Sequence, residues 1–161
     1  MRAGAESISC SRAKARGFTM VELLTVMSIL VIILGVMASS FSEFLAAQQA
    51  KGLSYDLTGD LMLARNEALK RNASVTVSRG GAGWEQGWSV VSVSGESLST
   101  RNPAAQSVTV TGAPATITFD FNGRVSSPAA TVRITISSHT SSRCVQLDPS
   151  GRARAIHGAC A

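Results

Sequence analysis

The sequence predicts an α+β protein in which one long N-terminal helix precedes an antiparallel, β-rich head. Two patterns in the 161-residue chain lead to this prediction. Up to about residue 71, an apolar run passes into a helical repeat, and beyond it apolar and polar residues alternate with period two. A helix with one apolar stripe and a sheet with one apolar face must cover each other. We therefore expect the sheet to lie on the C-terminal half of the helix.

The chain begins with a basic segment, residues 1–17. Its four basic residues oppose a single acidic residue and supply +3 of the total net charge of +5. These residues are Arg2, Arg12, Lys14 and Arg16, against Glu6. If the segment is removed, only +2 remains, so the whole-chain pI of 9.7 overstates how basic the mature protein is.

An apolar run, residues 18–41, follows the basic segment and contains one carboxylate, Glu22. As a helix the run spans about 36 Å at about 1.5 Å per residue, which is enough to cross the hydrocarbon core of a bilayer. A charged side chain in hydrocarbon costs roughly 2.5–3.5 kcal/mol on insertion scales. The position of Glu22 therefore requires a reason.

Three interpretations of this run compete. In a secretory signal peptide cleavage follows the run, and VMASS at 36–40 could supply the small residues. In a plain membrane anchor Glu22 has no particular role. If cleavage instead precedes the run, after Gly17, Phe18 becomes the N-terminus about one helical turn from Glu22. Amine and carboxylate can then neutralise each other, within one chain or between neighbouring chains.

The helical repeat continues beyond Phe41 and predicts one helix from about Thr19 to about Arg71. One mostly apolar stripe recurs at helical spacing, and polar residues occupy the other faces. The predicted stripe is Leu45, Gln49, Leu53, Leu57, Leu61, Ala64 and Ala68. The predicted polar positions are Gln48, Lys51, Asp56, Asp60, Arg65 and Lys70. Gly52 and Gly59 each cost about 1 kcal/mol relative to alanine, which favours bending there.

Alternation with period two after residue 73 predicts strands separated by turns. The predicted strands are 73–79, 87–94, 106–111, 115–121, 131–137, 143–148 and 152–156. The Asn-Gly pair in FDFNGRVS (119–126) is a strong hairpin signal, and DPSG (148–151) is a second turn. We expect the segment 94–106 to be a loop.

The stretch RGFTMVELL (16–24) resembles the prepilin signature of type IV pilins and type II secretion pseudopilins. The resemblance implies cleavage between Gly17 and Phe18 by the prepilin peptidase, N-methylation of Phe18 and a role for Glu22 in assembly. It also implies the type IV pilin fold, and extraction of the subunit from the inner membrane into a helical filament. The expected domains are the leader 1–17, the helix 18–71 with its transmembrane part 18–41, and the head 72–161.

The cysteines and histidines indicate a structural role and no metal site or catalytic site. Cys10 is lost with the leader, so Cys144 and Cys160 remain as an even pair in a domain expected outside the cytoplasm. We expect a disulfide, worth about 3 kcal/mol for a loop of about 15 residues. His139 and His157 are expected at exposed strand ends. The spacing of these four residues lacks the close pairs of zinc sites, and we expect no metal and no cofactor.

No Ser-His-Asp order or carboxylate pair indicates an enzyme, and we expect none. Asp120 and Asp148 lie beside turns, where aspartate often bonds the local backbone. Trp84 and Trp88 could stack on nucleic-acid bases, but we favour a place in a small core.

Three further stretches resemble the FimT/GspH group of minor pilins and pseudopilins: GWEQGWSVV (83–91), FDFNGRVS (119–126) and the C-terminal cysteine pair. GRAR (151–154) is similar to the Gly-Arg-x-Arg element of FimT-type minor pilins. Those proteins act in DNA uptake during natural transformation, and the element lies in their DNA-binding region. The resemblance implies non-specific DNA binding by this chain.

The spacing and charge of the arginines in this element also favour contacts with DNA phosphates. In a strand, Arg152 and Arg154 lie on one face about 6.6–7 Å apart, which suits two phosphates of one backbone. Arg143 and Arg124 are expected to help, because the residues from 121 onward carry a local charge of +4. The alternative is an edge strand whose arginines discourage aggregation.

Two functions therefore remain open. One is a minor pilin that binds DNA and supports transformation. The other is a structural or priming subunit of a pilus or type II secretion pseudopilus, which binds only other pilin subunits. The resemblance implies a single-pass inner-membrane protein with a periplasmic head, which then joins an extracellular pilus filament.

Overall fold

The computed structural model describes residues 17–104 and 106–161, and the side chains of residues 36–39 are outside the description. The leader expected at 1–17 lies outside the described residues except for Gly17. The chain divides into two compact units, Met1–Ala38 and Ser39–Ala161. All the described buried apolar residues belong to the second unit.

Helix α1 is Met20–Arg71, close to the predicted bounds. Thr19 caps its first turn, because the Glu22 N–H donates to the Thr19 Oγ1 at 3.2 Å. The helix ends where Asn72 adopts a positive φ of 49°, a left-handed conformation common after a helix. Within the described residues, no single helix is long and apolar enough to cross a membrane. The segments Met20–Gly35 and Ser40–Arg71 have the length and composition of a candidate span only as a pair.

Nine strands and one 3-10 turn, Trp84–Gln86, follow the helix in the described part of the chain. The strands are β1 Val75–Arg79, β2 Trp88–Ser92, β3 Ser97–Arg101, β4 Thr109–Thr111, β5 Thr116–Phe119, β6 Val125–Ser127, β7 Val132–Ser137, β8 Ser142–Leu147 and β9 Ala153–His157. The first sheet has the order β3-β2-β1-β5-β6, and the second sheet has the order β4-β7-β8-β9. Neighbouring strands are antiparallel throughout. The predicted α+β class is confirmed.

The core joins the helix to both sheets. The buried helix positions are Ala46, Ala50, Ser54, Leu57, Asp60, Leu61, Ala64 and Ala68. The prediction of Leu45 and Gln49 for this stripe was wrong by one position, because both are exposed, whereas the predicted Leu53 is partly buried and packs against the core. A run of i+4 steps drifts around a helix with 3.6 residues per turn, and the true stripe corrects the drift with an i+3 step from Ser54 to Leu57.

The segment 94–106, expected to be a loop, contains edge strand β3, which pairs with β2. Its sequence SLSTR has little apolar alternation, so side chains from outside the strand must help to hold it. Ser99 Oγ and Arg101 Nε donate to the carboxylate of Asp60 at 3.1 and 2.9 Å. Asp60 was expected on a polar face, but it is buried. The Nε1–H of the buried Trp88 also donates to its carboxylate, at 2.9 Å, and these hydrogen bonds compensate for the burial of the charge.

The expectations for the tryptophans, the histidines and the β5–β6 hairpin agree with the structure. Trp84 and Trp88 are core residues, and the Trp84 Nε1–H donates to the Pro114 carbonyl at 2.7 Å. His139 and His157 are exposed near strand ends. The hairpin predicted at FDFNGRVS joins β5 to β6.

Candidate nucleic-acid interface

The register of the second sheet decides which arginines share a face. Arg154 on β9 pairs with Gln146 on β8, which pairs with Arg133 on β7. Directly paired residues lie on the same side of a sheet. Arg133 and Arg154 are exposed, so this row is on the outer face. Arg152 is exposed and two residues before Arg154, so it extends the same face toward the β8–β9 turn.

Arg143 belongs to the other face of the second sheet. It pairs with Ile136, which is fully buried, and it lies two residues before the buried Val145, on the same face of β8. Its Nε is buried and has no hydrogen-bond partner in the described part of the chain. The structure therefore separates Arg143 from Arg152 and Arg154, with which the sequence had grouped it.

Arg124 lies at the turn between β5 and β6, at the end of the first sheet, and is exposed. The residue after it, Val125, donates its N–H to the Pro149 carbonyl in the β8–β9 turn at 3.0 Å. This hydrogen bond joins the two sheets close to Arg152. We refer to Arg124, Arg133, Arg152 and Arg154 as the arginine surface.

The arginine surface is not neutralised by the protein. The basic residues that form ion pairs within the described ranges are Lys70, Arg71 and Arg101. Hydrogen bonds to Glu96 and Glu67 raise the pKa of Arg71 above its usual value. The arginines of this surface make no ion pair within residues 17–104 and 106–161.

The predicted disulfide joins Cys144 to Cys160, with a Cα–Cα distance of 5.0 Å. Cys144 is on the outer face, because it pairs with Thr135 in the same alternation as Gln146. The Cys160 N–H donates to Thr135 Oγ1 at 3.2 Å. The C-terminal tail therefore covers the outer face around Thr135 and Cys144. The adjacent row with Arg133 and Arg154 is exposed.

The rest of the described chain was compared with two other kinds of site, a metal site and a ligand-binding cleft. No group of three or more His, Cys, Asp or Glu side chains within it is arranged to hold a metal ion. A cleft of about 510 Å³ is lined by residues around Glu85, Pro103 and Val108. None of the residues that line it belongs to the arginine surface.

The predicted processing residues, Gly17 and Phe18, are the first residues that the structure describes. Gly17 and Phe18 precede helix α1, and Phe18 is exposed. Glu22 is in the first turn of the helix. The motif thus occupies the non-helical start and first turn of the segment.

A long N-terminal helix with an antiparallel head defines the type IV pilin fold class. Two crystal structures of the type IV minor pilin FimU of Pseudomonas aeruginosa are similar to this chain. The first has a TM-score of 0.58 at 23% identity and covers 71% of this chain and 90% of FimU. The second has a TM-score of 0.56 at 20% identity and covers 66% and 91%.

The family follows from the sequence models. The model described as "Type II transport protein GspH" matches residues 55–151, which is more than half of the chain. The "Prokaryotic N-terminal methylation motif" matches residues 12–38. The chain belongs to the GspH family and is a minor type IV pilin or pseudopilin. No curated protein matches it.

Proposed function

We propose that this minor pilin binds DNA without sequence preference and supports DNA uptake in natural transformation. The observation that carries the proposal is the arginine surface: four exposed arginines from two sheets, none of them in an ion pair within the described residues. Arginine presents a planar fork of donors that matches phosphate oxygens. Packing between filament subunits does not require such a cluster.

The mode of binding follows from the chemistry of the surface. Phosphate contacts carry no sequence information, and an outer sheet face with arginines offers few groups that read base edges. Arg152 and Arg154 are the main contacts in this proposal, with Arg124 beside them. Arg133 replaces Arg143 as the additional contact, because Arg143 lies on the core-facing side of its strand.

The proposal includes the route to the filament. The prepilin peptidase cleaves between Gly17 and Phe18, Phe18 is methylated, and the chain waits in the inner membrane with its head in the periplasm. Glu22 then pairs with the Phe18 amine in the subunit bundle, and the filament carries the head outside the cell. The methylation motif at residues 12–38 supports this route.

A second candidate function is a structural or priming subunit of a type II secretion pseudopilus or of a pilus, without a DNA role. The family description, which refers to type II transport, favours it. In that case the arginine surface would be a solvated sheet face that resists edge-to-edge association. The two candidates differ in one measurable property, the affinity of the head for DNA.

The test is a titration of a labelled DNA duplex with the full chain in a non-ionic detergent, followed by fluorescence anisotropy. We expect a Kd in the range of about 10⁻⁴–10⁻⁶ M near physiological salt. With two to four phosphates engaged, log affinity should fall against log salt with a slope of about −2 to −4. Arg152→Ala with Arg154→Ala should weaken binding and reduce the slope by about one unit for each lost contact.

The matched control is Lys70→Ala with Arg79→Ala, which removes the same charge from exposed residues outside the second sheet. This control should keep most of the affinity and the slope. In cells, the Arg152 and Arg154 double variant should reduce transformation while pili still assemble. Equal DNA affinity for the wild type and that double variant at low salt would leave the structural-subunit function as the better account.

A further inference from the structure

Two turns at the end of the head repeat one five-residue pattern, Asp-x-x-Gly-Arg: DFNGR at 120–124 and DPSGR at 148–152. In each turn the glycine N–H donates to the aspartate carbonyl, at 2.9 and 2.8 Å. In each, the aspartate N–H donates to the arginine carbonyl, at 2.9 and 3.0 Å. The glycines have positive φ values of 70° and 79°. Arg124 and Arg152 are therefore equivalent residues of two matching turns, one in each sheet.

The two turns touch through their backbones. A Cβ atom placed on Gly151 would overlap the Gly123 carbonyl oxygen, so no side chain fits between them. The Val125 N–H donates to the Pro149 carbonyl at 3.0 Å. The arginine of the first turn thus lies between two residues that contact the second turn. The backbones of Arg124 and Arg152 are therefore close to each other at the surface.

A third arginine, Arg65 of helix α1, lies against both turns. A Cβ on Gly123 would be 3.2 Å from the Arg65 Cγ, and one on Gly151 would be 3.2 Å from its Cδ and Nε. The Arg65 Nε is buried and has no hydrogen-bond partner in the described part of the chain. Arg65 also makes no ion pair within residues 17–104 and 106–161. A buried guanidinium nitrogen without an acceptor is costly.

The aspartates of the two turns do not supply the missing acceptor. The Asp120 carboxylate accepts the N–H groups of Asn122 and Arg124, both at 2.9 Å, inside its own turn. The Asp148 carboxylate instead accepts from Gln146 Nε2 at 3.2 Å. The corresponding N–H groups of the second turn thus have no carboxylate acceptor among the described residues. With Arg65, the joined turns carry three guanidinium groups against two carboxylates that already accept hydrogen bonds, and such a surplus of donors is an arrangement that binds anions.

We propose that Arg65, Arg124 and Arg152 form a single phosphate site where the two turns meet. A phosphate group has enough acceptor oxygens to bond three guanidinium groups and to offset their repulsion. The inference rests on the proposed function only for the source of the phosphate, a phosphodiester group of DNA. The same chemistry would bind free inorganic phosphate. In this site, Arg65 is a DNA contact on helix α1, so the proposed interface includes residues of α1 and of both sheets.

The experiment uses the full chain in detergent micelles with ¹⁵N-labelled arginine. Inorganic phosphate is titrated at constant ionic strength, with chloride as the control anion, and the Nε–H signals are followed. We expect the Nε–H signals of Arg65, Arg124 and Arg152 to shift together and to saturate. A second titration with a DNA duplex should shift the same three signals.

Variants separate the site from the rest of the surface. Arg65→Gln should weaken DNA binding about five- to tenfold at low salt and reduce the salt slope by about one unit. Arg65→Lys keeps the charge and should keep most of the slope, but it loses the planar fork and part of the affinity. Lys70→Gln removes one charge from an exposed position on the same helix and should change neither result. Unchanged tryptophan fluorescence and melting temperature would establish that each variant is folded.

The outcomes distinguish this inference from the proposed function. If the wild type binds DNA and Arg65→Gln binds it as well as Lys70→Gln does, the Arg65 site is wrong while the DNA function stands. If DNA does not bind but phosphate shifts the three signals, the DNA function is wrong while the phosphate site stands. An Arg65 signal that neither phosphate nor DNA moves would overturn the inference.

Discussion

Six positions of helix α1 are predicted to be polar from the sequence. Among them, replacement of Asp60 by alanine should destabilise the head most. Asp60 is 4% exposed and accepts three hydrogen bonds, from Trp88 Nε1, Ser99 Oγ and Arg101 Nε, at 2.9, 3.1 and 2.9 Å. It thus connects the helix to β2 and to edge strand β3. Hydrogen bonding to Asp60 also raises the pKa of Arg101 above its usual value.

The size of the effect follows from which donors water can reach. Trp88 is buried, so its N–H would be left without an acceptor, at a cost of about 1–3 kcal/mol. The Arg101 side chain is 43% exposed, so water can replace that partner and the loss is at most about 1 kcal/mol. Together with the small cavity, Asp60→Ala should cost about 2–4 kcal/mol. At roughly 4 °C per kcal/mol for a domain of this size, Tm should fall by about 8–16 °C.

The assay is thermal unfolding of the full chain in a non-ionic detergent, followed by tryptophan fluorescence. Both tryptophans of the chain lie in the head, so the signal reports that unit. The control is Asp56→Ala, one turn earlier, where the carboxylate is 49% exposed and 3.6 Å from the Arg101 guanidinium. It should change stability by less than about 0.5 kcal/mol. A Tm for Asp60→Ala within 2 °C (about 0.5 kcal/mol) of the control would refute the reasoning.

Three further predictions concern processing, assembly and the disulfide. Intact-mass analysis of protein extracted from membranes should give a chain that begins at Phe18 with one added methyl group, and a chain that begins at Ser39 would contradict this. Glu22→Ala should insert into the membrane normally but be depleted in sheared filaments, because the Phe18 amine loses its partner; normal recovery would count against the pairing. Non-reduced, unfolded protein should contain no free thiol at Cys144 or Cys160, and reduction should lower the stability of the head by about 3 kcal/mol. Two titratable thiols would exclude the bridge in the purified protein.

Much of the fold could be predicted because its signals are local. The helix bounds follow from a capping threonine and a polar end, and the hairpins follow from glycines that favour positive φ. Strand β3 was missed because its polar sequence carries no alternation of its own. Its stability depends on Asp60, about 40 residues earlier in the chain, and a contact of that kind leaves no local pattern.

Some features of the candidate site could likewise be predicted from the sequence, and others could not. The sequence by itself determined that basic residues accumulate near the C-terminus, that Arg152 and Arg154 share a face, and that two turns repeat one pattern. Only the tertiary structure decided that Arg143 faces the core, that Arg133 joins Arg154, and that both turns meet over Arg65. The physical reason is that the face a strand residue occupies depends on strand register and on which face is buried, and the meeting of two turns depends on how two sheets pack on one helix. These are relations between distant segments, and only the packed chain sets them.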